Sequence, residues 1–156
     1  VPPMKNTSKS KSILILIISI LFISKTLAIN PSADININAE GPGDNLGYSI
    51  ALGDINDDGF QDLIIGAIKA TINQNTNGKV YVILGKATTV FNLDLTNNNA
   101  DITIIGKTPF DEFGYTVASS DINNDGISDI IIGSRTGSPN ERNGAGEIHV
   151  IYGRTN

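Results

Sequence analysis

Apolar residues are distributed in two ways along this chain. Residues 13–23 form a continuous apolar run of eleven, broken only by Ser19. After residue 29 the apolar residues fall instead into short runs rich in Ile and Val, bounded by Gly, Asn and Asp. That punctuation predicts strands rather than helices. The predicted strands are 35–37, 47–52, 62–65, 79–84, 101–105, 114–119, 129–132 and 147–152, eight in all, with no helix of useful length. Leu63-Ile64-Ile65 and Ile130-Ile131-Ile132 are apolar without a break, so both are expected in the middle of a stack with both faces covered. Residues 69–77 and 134–145 are rich in Asn, Gly, Ser and Thr without a hydrophobic period, and are expected as exposed hairpin loops.

The pattern repeats. At an offset of 67 residues, DININAEGPGDNLGYSIALGDINDDGFQDLIIGA from Asp34 lies on DITIIGKTPFDEFGYTVASSDINNDGISDIIIGS from Asp101. One residue of extra loop later, GKVYVILGK from Gly78 lies on GEIHVIYGR from Gly146. A fixed period of tens of residues is the mark of stacked structural units. Four strands per tandem unit is the arithmetic of a β-propeller blade, and propellers close with about four to eight blades. The expected fold is therefore all-β, about two four-stranded antiparallel blades of an incomplete ring. The expected organisation is a leader over 1–28, a first repeat over 29–100 and a second over 101–156 whose last strand is missing. The strand at 35–37 is the repeat counterpart of a blade's last strand. It is the kind of strand that could latch a ring shut, while a chain cut from a longer gene would look the same.

Charge sharpens the picture at the N-terminus. Lys5, Lys9, Lys11 and Lys25 precede every acidic residue, and Thr26 and Ala28 follow the apolar run. A basic flank, an apolar run about half as long as a membrane span, and small residues before a cleavage point make a signal peptide. The mature chain is expected to begin at Ile29 and to be secreted, periplasmic or on the cell surface, with no membrane contact beyond the signal. From residue 29 onward 7 basic residues face 16 acidic ones, a net charge of −9. Phosphate backbones and anionic lipids would repel such a chain, which argues against nucleic acid and in favour of cations as ligands. With no Cys, there is neither a disulfide framework nor a thiolate site.

The cation-binding chemistry is expected in DINDDGFQD, residues 54–62, and DINNDGISD, residues 121–129. Both place an acidic or amide side chain at loop positions 1, 3, 5 and 9. Calcium takes about six to eight oxygen ligands from carboxylates, amides, backbone carbonyls and water. The first set would be Asp54, Asn56, Asp58 and Asp62 with the carbonyl of Phe60. The second would be Asp121, Asn123, Asp125 and Asp129 with the carbonyl of Ile127. Gly59 and Gly126 fall where the chain must turn sharply, and Asp57 and Asn124 at even positions should point outward. An EF-hand shares the opening of this motif but needs a bidentate Glu at loop position 12, where this chain has Ile65 and Ile132. A solvated Asp/Asn/Gly turn would explain one copy; two copies at the same repeat position argue for two calcium ions.

With these residues in view, the units resemble FG-GAP repeats, the blade sequence of integrin α-subunit propellers and their bacterial relatives. The first landmark is Phe113-Gly114 in the second unit and Leu46-Gly47 in the first. The second is Gly66-Ala67-Ile68 and Gly133-Ser134-Arg135, without the final Pro. The resemblance implies that each loop joins the first two strands of a blade and holds a structural calcium on one face, while partners bind chiefly on the other.

The favoured function is a secreted or surface calcium-binding module for adhesion or for protein or carbohydrate binding. The alternatives are a piece of a split propeller without independent function, or an accessory domain of a secreted hydrolase. Further blades or self-association are expected to cover the open ends. No enzyme activity is expected: the chain has one His and no Cys, and His149 replaces Tyr81 of the first unit as a strand residue. Gly47-Tyr48-Ser49-Ile50-Ala51 misses the last Gly of a nucleophile elbow and has no helix after it.

Overall fold

The computed structural model describes residues 35–87, 91–97 and 99–155. The signal peptide expected over 1–28 lies outside the described residues. Each of the eight predicted strands is present, and three short ones accompany them. The chain runs β1 (Ile35–Asn38), β2 (Leu46–Gly53), β3 (Asp62–Ala67), β4 (Thr71–Ile72), β5 (Asn75–Thr76), β6 (Lys79–Ile83), β7 (Phe91–Asp94), β8 (Ile102–Ile105), β9 (Phe113–Ser120), β10 (Asp129–Ser134) and β11 (Glu147–Ile151). Among the described residues the helical segments are two single 3-10 turns, Leu95–Asn97 and Pro139–Glu141.

Four strands form the first sheet in the order β2-β3-β6-β8, and three form the second in the order β9-β10-β11. Every pairing within these sheets is antiparallel. The sheet and the sequence repeat are out of phase by one strand: β8 opens the second copy in sequence but closes the first sheet. β1 pairs in parallel with β7 as a separate two-stranded ribbon. The additional β7 carries the alternating sequence FNLD in a stretch otherwise rich in Asn and Thr, which hides its period. β4 and β5 make a hairpin inside the expected loop 69–77, turning on Asn73 and Gln74, both with positive φ (48° and 70°). Two positive-φ residues at a hairpin tip match the right-handed twist of the strands they join.

The main core lies between the two sheets. Ile64, Val80 and Val82 of the first sheet pack with Phe113, Ile130 and Ile132 of the second, and Ile55 of the intervening loop joins them. The apolar run of β3 is covered on both faces as expected, Ile64 on one and Ile65 on the other. That of β10 is covered on one face only, where Ile130 and Ile132 are buried, because among the described residues nothing packs on the opposite face, which carries Ile131 beside the exposed Val150. On the far face of the first sheet, Ala67, Ala70, Tyr81 and Leu95 form a second cluster with Ile37 against it. Among the described residues no helix is long and apolar enough to cross a membrane.

Candidate metal centres

Both acidic loops leave the same end of their sheets, one joining β2 to β3 and the other β9 to β10. They touch: the Ser128 amide donates to the Asp54 carbonyl (2.9 Å), and beyond β11 the Arg154 amide donates to the Ile55 carbonyl of the first loop (3.1 Å). In the first loop Asp54 accepts from the amides of Asp58 (3.2 Å) and Gly59 (2.9 Å). The Asn56 side-chain amide donates to Asp58 (2.9 Å), and Asp58 also accepts from the Phe60 amide (2.9 Å). The second loop repeats each bond. Asp121 accepts from Asp125 (3.1 Å) and Gly126 (2.8 Å), Asn123 donates to Asp125 (2.8 Å), and Asp125 accepts from Ile127 (2.9 Å). Gly59 and Gly126 have φ of 84° and 92°, the left-handed turn expected of them. Asp57 and Asn124 are exposed with φ of 59° and 62°, at the crest of the loop.

The last carboxylate of each loop has a different setting. Asp62 and Asp129 have no exposed surface. Asp62 accepts from the Ile55 amide at the loop entrance (2.9 Å) and, with its other oxygen, from the Gly85 amide beyond β6 (2.8 Å). Asp129 accepts in the same way from Ile122 (2.8 Å) and from Gly153 beyond β11 (2.9 Å). Each therefore ties three segments together. The amides of Gly85 and Gly153 were not singled out in the sequence; the signal for them was their shared place at the end of the GKVYVILG and GEIHVIYG copies.

The structure thus brings Asp54, Asn56 and Asp58 together, and likewise Asp121, Asn123 and Asp125, through direct hydrogen bonds. It seats Asp62 and Asp129 behind the loops on backbone amides. Among the described residues no three His, Cys, Asp or Glu side chains are grouped as a metal cage. The donor set nonetheless suits a hard divalent cation. All four side chains of each set offer oxygen, three of the four are carboxylates, and each carboxylate oxygen keeps lone-pair capacity beyond the bonds it accepts.

The opposite end of the sheets carries ion pairs. Glu40 accepts from Lys79 (2.5 Å) and from the Tyr81 hydroxyl (2.9 Å). The Lys79 ammonium holds the Glu40 carboxyl below its usual range, and burial, with Glu40 beside it, pushes the Tyr81 phenol up. In the second unit Arg135 makes a two-pronged pair with Glu112 (2.6 and 3.0 Å). His149 sits in β11 against the Phe113 ring, 5.3 Å between centroids, as a strand residue.

The chain matches the FG-GAP repeat family model over residues 46–83 and 113–151. Those stretches run from the first residue of β2 to the last of β6, and from the first of β9 to the last of β11. The chain is similar to phosphatidylinositol-glycan-specific phospholipase D of Mus musculus, 30% identical over 125 residues, covering 80% of this chain and 15% of that protein. It is also similar to integrin alpha pat-2 of Caenorhabditis elegans, 31% identical over 125 residues, covering 71% of this chain and 9% of the relative. Integrin alpha-8 of Gallus gallus is 34% identical over 93 residues, covering 57% of this chain and 7% of the relative. The chain therefore spans 15% or less of the length of these relatives.

Proposed function

The chain is an FG-GAP repeat protein similar to integrin α-subunits, and from that premise we propose that it is a non-enzymatic, calcium-stabilised binding module acting outside the cell. The observation that carries this reading is the exact recurrence, bond for bond, of an all-oxygen acidic loop at one end of both sheets. Asp54, Asn56, Asp58 and Asp62 would hold one ion, with the Phe60 carbonyl. Asp121, Asn123, Asp125 and Asp129 would hold the other, with the Ile127 carbonyl. Each ion would neutralise three carboxylates in a tight turn and add stability by binding the folded state. Extracellular calcium sites bind at about 10⁻⁴ to 10⁻³ M, a level met outside the cell. Loops at the opposite end, which carry the Glu112–Arg135 pair, are left to contact a protein or carbohydrate partner.

The deciding experiment is a thermal melt of the purified chain in millimolar calcium and in excess EDTA. A cooperative transition that moves down when metal is withdrawn is the expected result. A sharp melt indifferent to EDTA would remove the calcium assignment. A second reading, an accessory module beside an enzyme domain, draws on the similarity to phospholipase D over 80% of this chain. It predicts the same melt and differs only in the partner, which would be a catalytic domain.

A further inference from the structure

The joint between the two sheets is a template for two surfaces that no described residue covers. At that joint Ile55, Val80 and Val82 are 7%, 0% and 0% exposed; their repeat counterparts Ile122, Ile148 and Val150 are 50%, 72% and 45% exposed. Ile148 and Val150 lie opposite Gly133 and Ile131 across the β10–β11 ladder, on the face turned away from the core. The first sheet presents the other half of the same joint. Val117 of β9 packs into the core, whereas its counterpart Ile50 is 60% exposed, as is Leu52 on the same face.

The close contacts tell the same story. A Cβ on Gly78 would meet the Phe113 carbonyl at 2.3 Å, while one on its counterpart Gly146 would meet nothing nearer than 3.6 Å. A Cβ on Gly114 would lie 3.1 Å from the Lys79 carbonyl, and one on its counterpart Gly47 would have nothing within 4 Å.

Strand pairing identifies the occupant. β8 fills the edge of β6, with Val80 opposite Ile104 and Val82 opposite Ile102. β11, the counterpart of β6, is bonded only to β10 among the described residues. The counterpart of β8 is β1, bonded among the described residues along one edge, to β7. Ile35 and Ile37 of β1 line a hollow with Leu63 and Ile83, and Ile102 and Ile104 of β8 line the matching hollow with Ile130 and Ile151. β1 therefore lies on the first sheet as β8 lies on the second, as the fourth strand of a preceding sheet whose other strands the described chain does not provide. An occupant must bring an Ile50/Leu52-type face and a β1-type strand together, and this chain carries both.

We propose that copies of this chain associate head to tail. The Ile148/Val150 face of one copy covers Ile50 and Leu52 of the next, and β1 of the second copy pairs antiparallel with β11 of the first. The interface is heterologous, so it closes into a ring where the rotation allows. The described residues supply two blades, so two to four copies of this 156-residue chain correspond to the about four to eight blades that close a propeller. This inference rests on sheet packing and is independent of the calcium reading.

Light scattering on the purified 156-residue chain tests it. The expected result is a discrete species of two, three or four times 16.5 kDa; a single-chain mass at every concentration overturns the proposal. Ile148→Glu with Val150→Glu blocks the tail, and Ile50→Glu with Leu52→Glu blocks the head. Each double variant alone should fall to one chain mass, and an equimolar mixture should give a species of two chains through the one intact joint. Assembly unchanged by either pair overturns the proposal, as does a mixture of folded variants that stays at one chain mass. Should a charged variant fail to fold, the cysteine-free chain offers a gentler probe. Asn38→Cys and Glu147→Cys, the counterparts of the paired Ile105 and Lys79, should cross-link on oxidation when the two variants are mixed. Absence of that cross-link overturns the strand pairing.

Discussion

Asp62 and Asp129 are the residues on which each loop closes. Each buried carboxylate satisfies two backbone amides that would otherwise lie unpaired. Asp62→Ala orphans the amides of Ile55 and Gly85 and should cost about 2–4 kcal/mol, read as a lowered urea midpoint in excess EDTA, where metal loss cannot contribute. Asp62→Asn keeps an acceptor and should cost less. Glu40 sets a pH dependence at the other end. Its folded carboxyl titrates below the ordinary 4.5 because Lys79 and Tyr81 favour its charged form. The resulting stability is fully present above the unfolded value and is lost as pH falls through the lowered folded one. Glu40→Gln should therefore flatten the acid limb of the stability profile. At neutral pH it should cost about 1–3 kcal/mol by leaving the buried Lys79 ammonium without its counter-charge. Urea midpoints at neutral and acid pH check both statements. The oxygen-bearing residues of the loops were legible in the sequence because position, not packing, defines them. The second amide held by each buried carboxylate was not, since Gly85 and Gly153 arrive from a strand 23 and 24 residues away.

Among the elements, the eight main strands were legible because Ile/Val runs between Gly, Asn and Asp have little alternative to extended pairing. The β4–β5 hairpin was not, since two-residue strands of Thr, Ile and Asn carry no period to read, and β7 was not, since its four residues become a strand against β1, more than fifty residues away in the chain. The sheet-to-sheet joint depends on two landmark glycines. A Cβ on Gly66 would meet the Gly114 carbonyl at 2.3 Å and the Ser49 hydroxyl at 2.4 Å. Ser49 also donates to that carbonyl at 2.7 Å. At the counterpart Gly133 the nearest atom, at 2.4 Å, is the Thr116 side-chain oxygen, which can rotate away. Gly66→Ala should thus destabilise the chain by about 1–3 kcal/mol and Gly133→Ala by clearly less, a contrast that parallel denaturant titrations would show. Equal costs would mean that the sheets do not meet as closely as these contacts imply.

For the whole molecule, the calcium reading predicts a linkage as well as a melt. Once both loops are saturated, each tenfold rise in free calcium should add about 1.4 kcal/mol per site, hence about 2.8 kcal/mol in all. Chemical unfolding at two calcium concentrations measures this directly; half that slope would mean that one loop alone binds. Among the described residues the two ends of the stack expose apolar faces and unpaired strand edges, which natural sheets seldom leave bare. The head-to-tail assembly proposed above would cover both with surfaces the chain already carries.

What the sequence determined by itself was repetitive or strongly patterned: the eight main strands, the 67-residue period, and the loops with their oxygen-bearing side chains at alternate positions. These follow from short-range conformational preference and from side-chain chemistry, neither of which needs a partner. The tertiary structure alone decided which copy each strand serves, that β8 closes the first sheet and β1 lies on its far face. It also decided that Asp62 and Asp129 are buried staples and that the landmark glycines meet across a joint. Those outcomes depend on contacts between residues distant in the chain, where the repeat makes counterparts alike in sequence and only packing makes one buried and the other bare.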